Sequence, residues 1–184
     1  FGLLMGNAHL NSSYNEERPK PTSLVYLTNE NGAYWATYDQ VLHPWNASYF
    51  NDSDASNDTP QFASKYGSRF QHLNSAPEKA IADFELQMTK DSIIEDVRQL
   101  EFEIKNHRKV HRIEVFAEGA LVNYVEVNES PLSPLFLAYR GKRLFTHYLS
   151  EGASTKILLQ FDKNEPLNLT INEISNDLLT HPEF

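Results

Sequence analysis

Apolar and polar residues alternate over much of the second half of the chain. Ala82, Phe84, Leu86 and Met88 are separated by polar positions, and so are Leu100, Phe102 and Ile104, then Ile113 and Val115, then Val125 and Val127. Ile157 to Phe161 and Leu167 to Ile174 behave alike, with Leu167, Leu169 and Ile171 on one face. A period of two gives each strand one covered and one solvated face, the pattern of antiparallel sheets. Short strands of this kind, separated by turns of Gly, Pro, Asn and Asp, indicate sheet packed on sheet. The expected fold is mainly β: an antiparallel β-sandwich, jelly-roll or Ig-like, with one or two short helices. No internal repeat and no long amphipathic helix interrupts this pattern.

Ahead of that region, Ser23 to Trp45 reads SLVYLTNENGAYWATYDQVLHPW. Leu24 to Leu27 is a strand, Asn29 to Gly32 a turn and Ala33 to Tyr38 the returning strand, a hairpin signature. A short helix follows, with His43 near its cap and Pro44 at the first helical position, where a missing N–H costs nothing. Tyr34, Trp35, Tyr38 and Trp45 form the candidate binding surface, since clustered rings can stack on sugars or peptides. A helix folded back on a hairpin buries the same rings, and core packing is the stronger reading.

Residues 1–22 are read as a linker following a membrane span, and 23–184 as a single β-sandwich domain. Phe1 to Met5 is apolar but far shorter than the roughly 20 residues that cross a bilayer, so it is either the tail end of a spanning helix or merely a hydrophobic N-terminus. With the abrupt end at HPEF, it suggests a piece of a longer protein. Asn51 to Pro60 (NDSDASNDTP) is a polar surface loop; as a calcium loop it lacks the Gly at position six and Glu at position twelve of an EF-hand.

A length of 184 residues suits one well-buried domain. The net charge of −9 argues against nucleic acid or an anionic membrane surface as partner, and the short run KNHRKVHR does not overturn it. Without cysteine, the chain has no thiol nucleophile, no cysteine-ligated zinc and no disulfide. Six Asn-x-Ser/Thr sequons, at Asn11, Asn46, Asn51, Asn57, Asn128 and Asn168, reflect an Asn-rich composition more readily than glycan acceptors.

His107 and His111 have the spacing of a helical metal pair, but strand-like flanks place them in or beside a hairpin turn. Glu101 with Glu103, and likewise Glu114 and Glu126, are read as solvated strand faces, because a catalytic carboxylate pair needs an apolar site to separate its pKa values. No phosphate loop and no G-x-S-x-G elbow occurs. No catalytic residue, metal ligand or cofactor is therefore assigned to this chain.

Lys20, Pro21, Ser23, Leu24 and Tyr26, then a short turn, Ala33 to Asp39 and Trp45 together resemble one particular domain. It is the C-terminal extracytoplasmic domain of membrane-anchored zinc exopeptidases related to endoplasmic reticulum metallopeptidase and the aminopeptidase-Y-like family. The strand at RQLEFEI and Pro166-Leu167-Asn168-Leu169 before the last strand extend the resemblance from about Pro19 to Pro182. It implies a non-catalytic accessory domain whose partners are the parent's peptidase domain and membrane spans, with peptide substrates as further partners. Zinc would belong to the parent's peptidase domain, whose ligand motifs have no match here. The location implied is the extracytoplasmic side of a membrane, the periplasm in a bacterium. The alternative is a stand-alone carbohydrate- or peptide-binding sandwich module.

Overall fold

The computed structural model describes residues 15, 17, 19–50, 62–67, 69–150 and 154–184. The stretch Phe1 to Met5, the loop 51–60 and the sequons at Asn11, Asn51 and Asn57 lie outside them. Among the described residues the fold is mainly β, with three antiparallel sheets and two short helices. The residues gather into two compact units: Phe1–Thr59 with Arg69–Glu78, and Pro60–Ser68 with Lys79–Phe184.

The first unit holds a sheet of β1 (Val25–Asn29), β2 (Gly32–Thr37) and β3 (His72–Ser75), in that order. The turn forms where the sequence places it. Asn29 Oδ1 accepts from the Asn31 N–H at 2.9 Å, and Gly32 takes φ +127°, which suits a residue without a side chain. Helix α1 (Pro44–Ala47) starts as expected, with His43 as cap, its Nδ1 accepting from the Trp45 N–H at 3.3 Å. A 3-10 turn, Ser48–Phe50, continues it.

The second unit is the sandwich. Its strands are β4 (Glu85–Ile94), β5 (Val97–Lys105), β6 (Arg112–Glu118), β7 (Tyr124–Val127), β8 (Ser130–Pro131), β9 (Arg143–Tyr148), β10 (Thr155–Asp162) and β11 (Asn168–Ile174), with helix α2 (Pro134–Tyr139) between β8 and β9. One sheet runs β4-β5-β10-β7-β8 and the other β11-β6-β9. Phe102, Ile104, Val125, Ile157 and Leu159 from the first share a core with Ile113, Val115, Ala117, Leu144 and Phe145 from the second. Leu167, Leu169 and Ile171 pack against it, as their spacing predicts, and Leu137 anchors α2 in it. At about 25 cal/mol per Å² of apolar surface, this interdigitated layer is the main source of the unit's stability.

Two strands depart from the expected one covered and one solvated face. Five consecutive residues of β6, Ile113 to Ala117, are buried, whereas β4 is exposed along nearly its whole length. The connection 106–111 is also not a hairpin: β5 pairs with β4 and β10, while β6 belongs to the other sheet. His107 and His111 thus sit on a crossover from one sheet to the other.

Candidate functional site

The aromatic group divides by strand geometry. Tyr26 and Trp35 are a cross-strand pair on one face of the first unit's sheet, with ring centroids 5.2 Å apart. Alternation sends Tyr34 to the opposite face. The α1 segment returns over Trp35 and lays Tyr49 against it at 4.6 Å, and Trp45 follows at 5.8 Å from Tyr49. Tyr38, just past the end of β2, stacks on Phe70 at 4.5 Å. Of the predicted surface residues, Trp35 and Trp45 thus join one stack through Tyr49, while Tyr34 and Tyr38 point elsewhere. Trp45 ends that stack and is 47% exposed; Trp35 is half-buried within it.

A polar knot holds the helix to the sheet. Asp39 accepts from the Thr22 hydroxyl at 2.9 Å, the Ser23 hydroxyl at 3.0 Å and Asn46 Nδ2 at 3.3 Å. The Ser23 hydroxyl is also 2.9 Å from that of Thr37, which is fully buried. Burial opposes the charge on Asp39, but the Thr22 and Ser23 hydrogen bonds outweigh it and hold the carboxyl below its usual range. Asn46, the asparagine of a sequon, is 1% exposed and its amide nitrogen is engaged, so the folded chain offers no acceptor there.

The second unit carries a cationic and aromatic cluster that the sequence pattern does not announce. Residues 62–67 lie over the outer face of β6, β9 and β11. The Lys65 N–H donates to Glu114 Oε2 at 3.0 Å, and Asn172 Nδ2 donates to the Ala63 carbonyl at 2.6 Å. Glu114 is consequently 1% exposed, not solvated, and is paired with Arg112 Nε at 3.0 Å. Lys65 Nζ contacts the Tyr148 hydroxyl and stands 4.7 Å from the Tyr66 ring centroid, while the Arg112 guanidinium lies 5.3 Å from the same ring. The lysine pulls the Tyr148 phenol below its ordinary pKa, and Tyr148 raises that of Lys65. Sequence reasoning misses this group because the covering segment is 49 residues away from Glu114 along the chain.

On the outer face of the five-stranded sheet, Thr89, Glu101, Glu103, Glu126, Glu129 and Lys156 border an open concavity of about 310 Å³. Three of its acids are engaged with neighbours. Glu101 accepts from Gln99 at 2.7 Å and pairs with Lys90 at 3.6 Å, Glu103 accepts from Ser154 at 2.5 Å, and Glu126 accepts from the Tyr124 hydroxyl. The two histidines part: His107 is 4.0 Å from Glu85, and His111 Nδ1 accepts from the Asn176 N–H at 3.1 Å. Among the described residues, no three His, Asp or Glu side chains are grouped to hold a metal, and no helix is long and apolar enough to cross a membrane. No family model matches the chain, and neither does any curated protein or solved structure.

Proposed function

We propose that this chain is a non-catalytic accessory domain of a membrane-anchored zinc exopeptidase, on the extracytoplasmic face, packing on or gating the peptidase domain. The observation that carries the reading is where the resembling residues go. Ser23, Thr37 and Asp39 form the polar knot, Leu24, Ala33 and Ala36 are buried, and Tyr26, Trp35 and Trp45 belong to one aromatic stack. A pattern scattered over 20–45 thus describes one packed hairpin and helix, which supports a shared fold with that family's C-terminal domain. The reading frame upstream of Phe1 tests this. Membrane spans preceded by a His-x-Asp zinc motif are expected; a signal peptide alone contradicts the proposal.

One observation favours a second reading, a carbohydrate- or peptide-binding module: the half-exposed ring of Trp45. Glycan-array binding by the wild type that disappears in a folded Trp45→Ala variant supports it. No binding by the wild type removes it.

A further inference from the structure

Among the described residues, strand β4 ends its sheet and pairs with β5 alone. It also carries apolar side chains in solvent: Leu86 is 47% and Met88 51% exposed, on the face that holds the core elsewhere in the sheet. A long exposed edge is a template for another strand, so its side-chain order decides which strand fits.

That order is self-complementary. Glu85 pairs with Lys105, Leu86 with Ile104, Gln87 with Glu103, Met88 with Phe102 and Lys90 with Glu101, Thr89 being absorbed by a bulge. Because of the bulge, Glu85 and Lys90 each lie two ladder steps from Gln87, on the outer face, and Leu86 and Met88 each lie one step away, on the core face. A two-fold axis through Gln87 therefore sets acid opposite base, apolar opposite apolar and amide opposite amide. Axes through Glu85 or Lys90 would oppose like charges, and a one-step slip disrupts these matched pairs.

We infer that β4 is a homodimer interface: a second copy of this chain pairs antiparallel along Glu85 to Lys90, joining two five-stranded sheets edge to edge. The contact is isologous and closes on itself, so it satisfies the edge without propagating into fibres. The bulge and Lys90, devices that ordinarily blunt an edge, here restrict it to one register. This inference is independent of the proposed accessory role.

Sedimentation equilibrium over increasing concentration, combined with a charge swap, tests it. Glu85→Lys and Lys90→Glu are each expected to weaken dimerisation about tenfold, and the double variant to restore it. Within one chain, Glu85→Lys sets a like charge against Lys105, and Lys90→Glu sets one against Glu101, so restoration has to come from the pair between copies. Because the chain has no cysteine, Gln87→Cys adds a clean reporter. It is expected to form a disulfide dimer under mild oxidation, while Thr170→Cys, at an exposed position of β11, stays monomeric. A wild type that sediments as a monomer at every concentration, a double variant as weak as the singles, or equal cross-linking at both positions overturns the inference.

Discussion

Glu114 is a charge held where water does not reach, and its environment predicts how its loss is felt. Arg112 pairs with it while itself being only 12% exposed, so Glu114→Ala leaves a guanidinium without its counter-charge and unties the Lys65 N–H. The expected loss is about 3–5 kcal/mol in chemical denaturation, with Glu114→Gln milder because the amide still accepts from Lys65. Asp39 behaves differently, since its contribution is set by pH. Its folded pKa lies below the unfolded one, so its stabilisation is present above the unfolded value, about 3.9, and is lost as pH falls through the folded value. Asp39→Asn is therefore expected to lower the melting temperature at neutral pH, with the gap to wild type closing on acidification below about pH 4. A gap that stays constant with pH would contradict this. Neither role is visible in the sequence. Glu114 sits in a clean alternation with Ile113 and Val115, which describes a solvated face unless a remote segment covers it. Asp39 carries no signal of its role because the hydroxyls around it are dispersed at Thr22, Ser23 and Thr37.

At the scale of elements, the hairpin and α1 form one cooperative piece whose aromatic members carry unequal weight. Trp35 is packed between Tyr26 and Tyr49, whereas Trp45 closes only the outer end of the stack. Trp35→Ala is expected to cost about 3 kcal/mol, and Trp45→Ala no more than about 1 kcal/mol, as read from urea unfolding. Equal costs would show that the stack is not organised around Trp35. This piece was legible because local chemistry specifies it: Asn31-Gly32 favours the turn and His43-Pro44 the helix start. Strands β5, β6, β7, β10 and β11 were legible by their period of two. Less visible were β3, with one large apolar residue in HLNS, and β8, only two residues long. Strand β9 has the adjacent Leu144 and Phe145 both buried, which breaks the alternation, and α2 has the single turn and a half of PLFLAY. Exposure along β4 follows from its edge position, and the crossover of His107 and His111 from sheet assignment. Both depend on strand order, which periodicity does not encode.

For the whole molecule, the chain's apolar pattern predicts two faces of sheet meeting over one core, and the second unit has that arrangement. The residues between 20 and 45 that carry the family resemblance fall in the first unit, where several serve packing and the polar knot, while RQLEFEI and Pro166 to Leu169 belong to the second. An accessory domain of that kind is expected to contribute shape and attachment to a parent whose chemistry lies in another part of the polypeptide. The most direct test of the proposed accessory role is to isolate the native protein that carries this sequence and measure bound zinc and exopeptidase activity beside the isolated 184-residue chain. Zinc and chelator-sensitive aminopeptidase activity are expected in the native protein, and no zinc-dependent turnover by the isolated chain. A native protein without zinc or peptidase activity, or an isolated chain that hydrolyses peptides when zinc is added, would contradict it.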